Sequence, residues 1–125
     1  MPTPLTPDQI AQISHLVAAY ILTQRDRYAV RALPLSAQQR ASLEGFFASE
    51  LLGNTRVLVL EGERVANPDF YPKLRELGLK NLPEQSGMAA ITFYDVIVAH
   101  ERFSPGLLFH EFVHVEQYRQ LALPR

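Results

Sequence analysis

The chain has 125 residues, enough for one domain with a buried core and too few for two domains, so a single domain over residues 1–125 is expected. It is 47% hydrophobic and 20% charged, and its 12 Lys and Arg against 13 Asp and Glu leave a formal charge of −1. That balance argues against nucleic acid or an anionic membrane as partner, because both attract a basic surface. No cysteine is present, which excludes disulfides and thiolate metal sites and leaves imidazole and carboxylate as ligands for any transition metal.

The first segment, MPTPLTPDQIAQISHLVAAYILTQRDRY, shows no basic leader and no small-residue cleavage site, and Gln12, Ser14 and His15 interrupt its apolar residues. It is read as neither signal peptide nor membrane span, and a cytoplasmic location is expected. Its pattern predicts a helix: Thr6 at the N-cap, Pro7 at the first helical position, Gln9 at the capping-box position, then Ile10, Ile13, Val17, Tyr20 and Ile21 as one buried stripe. His15 interrupts that stripe and is expected to be exposed. RALPL reads as a turn. A second helix is predicted from the cap Ser36, with Gln39 three residues on, burying Leu43, Phe46 and Phe47 and stopping at Leu52-Gly53.

RVLVLE (56–61) predicts a short strand, and the overlapping LVLEGERV reads as a hairpin-like turn whose single glycine is too little for a phosphate loop. NPDFYPKLRELG predicts a short helix ended by Gly78, LPEQSG a loop, and MAAITFYDVIVA (88–99) the strongest strand in the chain. The expected fold class is α+β: two N-terminal helices, a small mainly antiparallel sheet from 56–61 and 88–99, and a central helix over 104–121. Its short strand and small interposed helix suit segregated α and β elements better than a βαβ wind.

The last segment carries the chemistry. In ERFSPGLLFHEFVHVEQYRQLAL, Ser104 can cap and Pro105 suits the first turn, so His110 and His114 sit on a helix. At about 100° per residue from His110, His114 falls near 40°, Gln117 near 340°, Tyr118 near 80° and Glu111 near 100°. Around the rest lie Leu108, Phe109, Phe112, Val113 and Val115, so most of the helix is expected to be covered. Polar groups buried there need partners, since an unpaired one costs roughly 1–3 kcal/mol. Zinc fits: imidazoles at i and i+4 reach one ion at about 2.0–2.1 Å, and Glu111 points beside it, where it can take a proton from the water that the metal activates.

HEFVH (110–114) resembles the H-E-x-x-H signature of the zincin metallopeptidases, and AAITFYDVIVA looks like the zincin strand that precedes the active-site helix and pairs with extended substrate. The resemblance implies His110 and His114 as zinc ligands, Glu111 as general base, and a peptide or protein as substrate. The continuation HVEQ is similar to short bacterial zincin-like domains reading H-E-x-x-H-x-x-Q. The metzincin branch would place a glycine and a third histidine where Gln117 and Gln120 stand. The gluzincin branch takes a glutamate from a downstream helix, and here Arg125 lies eleven residues after His114.

Around the motif, Glu116 is expected to be a surface charge, about 200° from His114. Gln117 could orient a ligand or lie on the surface, and Tyr94 and Tyr118 could aid an oxyanion but suit a core. His100 or Glu101 could offer a third ligand, as could a water, another subunit or a further part of the protein. Two classes stay open: a zinc-dependent hydrolase of the metallopeptidase type, and a catalytically inactive zincin-like binding or regulatory module.

Overall fold

A computed structural model of the chain describes residues 4–121. Helix α1 (Pro7–Ala29) opens on the expected capping box: Thr6 Oγ1 accepts from the Gln9 N–H at 3.1 Å, and Gln9 Oε1 accepts from the Thr6 N–H at 2.9 Å. The pair satisfies two of the donors that a helix start leaves open. The apolar stripe is less covered than expected. Ile10 is 51% and Val17 38% exposed, His15 is exposed, and full burial is reached only at Gln24 and Tyr28. Periodicity decides which side of a helix is apolar, not how far another element reaches over it.

The expected second helix is two, α2 (Ala37–Leu43) and α3 (Ser49–Asn54). Ser36 and Gln39 close the same capping box at 3.1 and 2.9 Å. Gly45, at φ 90, then turns the chain out of the helix, a conformation that glycine adopts without a steric penalty. Leu43 is buried and Phe47 packs half-buried on the core as expected, but Phe46 is 69% exposed.

Strands β1 (Leu33–Pro34), β2 (Arg56–Val59), β3 (Ala90–Phe93) and β4 (Val96–Ala99) form one sheet in the order β1-β2-β4-β3. β1 with β2 and β3 with β4 are antiparallel, and β2 with β4 is parallel. Residues 88–99 are therefore a hairpin and not one strand. The chain reverses at Tyr94-Asp95, with Tyr94 in the left-handed region at φ 57. No glycine or asparagine marks this turn in the sequence, which hides it from pattern reading. Its support is distant: Arg25 of α1 donates to the Asp95 carboxylate at 2.8 Å, and the Arg56 N–H donates to the Asp95 carbonyl at 2.9 Å.

Two further expectations are corrected. RALPL contributes β1, and LVLEGERV makes no hairpin: after β2 the chain runs on through Gly62 (φ 74) and helix α4 (Tyr71–Glu76) before the β3–β4 hairpin returns. That long return is what sets β4 parallel to β2. α4 ends at Gly78 (φ 92) as expected, with the Gly78 N–H on Arg75 O and the Leu79 N–H on Leu74 O, each at 3.0 Å. This pair of bonds is a Schellman closure.

The sheet is covered on both faces. Ile91, Phe93, Val96 and Val98 gather with Tyr28 of α1, whose ring stacks on Phe93 at 6.3 Å. Val57 and Ile97 face the other way, onto Leu43, Leu52 and the buried side of helix α5 (Pro105–Leu121). All four β4 residues are buried, so that strand reads as an unbroken apolar run. α5 starts where expected, with Ser104 Oγ accepting from the Leu107 N–H at 3.0 Å. No helix among the described residues is long and apolar enough to cross a membrane.

Candidate metal centre

Helix α5 is held by Leu108, Phe112 and Val115, which are buried against the sheet. It is covered on one side only: Phe109 and Val113 are each 38% exposed, against the expectation that most of the helix lies under protein. Along the border between the two sides run His110, Glu111, His114, Gln117 and Tyr118. One possible ligand atom from each of His110, Glu111 and His114 lies within 4.8 Å of the others, and the two imidazole rings stand 5.1 Å apart and 86° to one another.

Burial separates the roles. The His110 side chain is 69% exposed, whereas that of Glu111 is 6% exposed. Glu111 Oε1 accepts from the hydroxyl of Thr92, a buried residue of β3, at 2.8 Å, and Oε2 lies 4.0 Å from His110 Nε2. The Thr92 hydroxyl also lies 3.2 Å from the Glu111 carbonyl, but its one proton has the closer partner in the carboxylate. One carboxylate oxygen is thus held and the other is turned toward the histidine. Thr92 has no place in a reading of the sequence. Its only signal is alternation: on the strongest β segment it faces opposite to Ile91 and Phe93, and a hydroxyl buried there needs a partner.

His114 Nδ1 lies 3.0 Å from Gln117 Oε1. An amide oxygen only accepts, so Nδ1 carries the proton and Nε2 keeps its lone pair for a metal. Gln117 is thus placed to orient the His114 ring while itself lying exposed on the helix surface. Replacing it with leucine should weaken metal binding by about 10–100-fold, as for other partners that fix a ligand's tautomer. Titration against a chelating dye measures this, and an unchanged affinity would show that the tautomer is set some other way.

His100 is not a ligand. Its Nδ1 donates to the Met88 carbonyl at 2.6 Å and its Nε2 accepts from the Val65 N–H at 3.0 Å, so both nitrogens are engaged in tying the end of β4 to neighbouring loops. Glu101 is exposed and lies outside the group. Glu116 bonds Arg119, whose guanidinium lowers the pKa of its carboxyl, and is a surface charge as expected. Tyr94 is a buried core residue, with its ring 4.9 Å from that of Tyr118. The Tyr118 hydroxyl donates to the Thr92 carbonyl at 3.4 Å, and burial, then the neighbouring Tyr94, raises its pKa above the ordinary tyrosine value.

A cavity of about 600 Å³ opens between α5 and β3, with His110, Glu111, His114, Gln117 and Tyr118 in its walls. Two imidazoles one helical turn apart with a carboxylate beside them suit a borderline divalent cation, and the exposed His110 side leaves a route in from solvent. The fold and the site together define an α+β domain with a His-Glu-His group that could hold a metal ion. Comparisons of the chain with protein-family models, with curated proteins and with solved structures gave no match.

Proposed function

We propose that the protein is a zinc-dependent hydrolase of the zincin-like metallopeptidase type, with His110 and His114 as metal ligands, Glu111 as general base and a peptide or protein as substrate. The observation that carries this reading is the buried Glu111 carboxylate, held at one oxygen by Thr92 and turned by the other toward His110. Burying a carboxylate costs several kcal/mol unless it is partnered, so a glutamate with no task at this place would be better replaced. Zinc, when bound, lowers the pKa of a water from 15.7 toward ~7 and polarises a carbonyl.

The chain's own residues do the remaining work. His114 offers Nε2 because Gln117 holds its other nitrogen. Glu111 Oε2 takes a proton from the attacking water and returns it to the leaving amine. The Tyr118 hydroxyl stands in the cavity wall, where its proton rests on the Thr92 carbonyl at 3.4 Å and would have to leave that weak bond to serve a developing oxyanion. β3 is the last strand of the sheet and borders the cavity, so an extended peptide can add to it as a further strand.

A second reading has its own observation. Among the described residues the group offers two imidazoles, and two alone rarely hold zinc tightly. On that reading the protein is a zincin-like binding or regulatory module without hydrolysis. A mixed peptide library separates the two. Tag-free protein supplemented with zinc should cleave it, lose that activity to a chelator and regain it with zinc; a zinc-loaded protein that cleaves nothing is a binding module.

A further inference from the structure

We infer that an apolar pocket on the α1 side of β3 receives a bulky, uncharged apolar side chain of the peptide whose backbone lies along that strand; this rests on the peptidase reading above. The pocket measures about 410 Å³ and forms where Ile13 and Val17 of α1 face Leu74 of α4 and Leu79 and Leu82 beyond it. It shares Gln85, Ile91, Thr92 and Tyr118 with the cavity over His110 and His114, so the two spaces meet at β3. β3 has β4 on one side and no strand on the other among the described residues.

Strand geometry connects the two spaces. Successive side chains of an extended chain point to opposite faces. In β3 itself, Thr92 reaches Glu111 on the α5 face while Ile91 and Phe93 enter the core on the α1 face. A peptide added at the outer edge repeats that alternation. One side chain falls toward the His110 and His114 stripe, and the next in sequence falls toward the pocket.

The walls determine what that next side chain is. No Asp, Glu, Lys, Arg or His lines the pocket. The hydroxyls of Tyr20 and Tyr71 are engaged by the carbonyls of Ala66 and Pro83, at 2.5 and 2.8 Å. A charged group entering here finds no partner for its charge, and leaving it unpaired is costly. A leucine, methionine or phenylalanine side chain finds Val17, Leu74 and Leu82. The same occupant accounts for the apolar stripe of α1 that folding leaves partly uncovered, with Val17 38% exposed.

Two measurements on the full chain test the inference. In the first, isotope-labelled protein is titrated with N-acetyl-phenylalaninamide and, separately, with N-acetyl-glycinamide, and amide shifts are followed. Saturable shifts at Val17, Leu82 and Ile91 with the first probe alone, lost in Val17→Trp, support the pocket. Val17 is already part exposed, so a tryptophan there fills the pocket without entering the core. Equal responses to both probes, shifts elsewhere, or responses unaltered in Val17→Trp overturn it.

In the second, zinc-supplemented protein digests the peptide library. Cleaved peptides should be enriched about tenfold or more in Leu, Met or Phe over Gly and Asp at one fixed position from the broken bond, as expected for a hydrophobic pocket. Val17→Trp should remove the enrichment with zinc content unchanged. Cleavage without side-chain preference overturns the pocket and leaves the peptidase reading standing. No cleavage of any peptide overturns the peptidase reading, and the amide shifts then decide by themselves whether the pocket takes an apolar side chain.

Discussion

Glu111→Gln should lower zinc-dependent peptide hydrolysis by about 10²–10⁴-fold while metal content stays at the wild-type level. The substitution preserves shape, and its amide oxygen can still accept from Thr92, whose hydroxyl lies 2.8 Å from Glu111 Oε1. What disappears is the proton acceptor at Oε2, the atom 4.0 Å from His110 Nε2. A general base acts in the transition state, whereas a ligand holds the metal in every state, so the two roles separate when metal content and turnover are measured on the same preparation. If Glu111→Gln loses the metal, Glu111 is a ligand. If it cleaves as fast as wild type, the proton goes elsewhere and the mechanism proposed here is wrong.

His110→Ala and His114→Ala should each bring bound zinc close to zero in tag-free protein, since one remaining imidazole is too few. His110→Ala is the cleaner variant because its side chain is 69% exposed and touches no core, so the metal-free fold should keep its stability within about 0.5 kcal/mol. Elemental analysis reports the loss. Thermal unfolding gives an independent readout: zinc at a hundred times its dissociation constant adds about 2.7 kcal/mol to wild type, and neither variant should show that gain. A wild-type protein that holds no zinc after supplementation, and whose unfolding is indifferent to zinc, would instead mark the domain as a binding module. Zinc retained at wild-type level by His114→Ala would put the site on other residues.

The features legible in advance share one property: their causes lie within three or four residues. The two capping boxes, the Gly78 stop, the start of α5 at Ser104 and the spacing of His110 and His114 each depend on groups that meet because the helix repeats every 3.6 residues. The break at Gly45 is local too, yet helical periodicity ran across it, because Phe46 and Phe47 fit an apolar face whether or not the helix continues.

By itself, then, the sequence determined the helix starts, the α+β class and a pair of imidazoles on one face, all set by short-range steric and hydrogen-bonding rules. The tertiary structure decided the rest. The hairpin turn at Tyr94-Asp95 is held by Arg25, 70 residues from Asp95, and no local signal announces it. His100 is withdrawn from metal binding by Val65 and Met88, which only the folded loops bring to its two nitrogens. Glu111 becomes a fixed, buried group through Thr92, 19 residues away on the facing strand. Chain connectivity does not encode such meetings; packing two cores against opposite faces of one sheet brings the partners together.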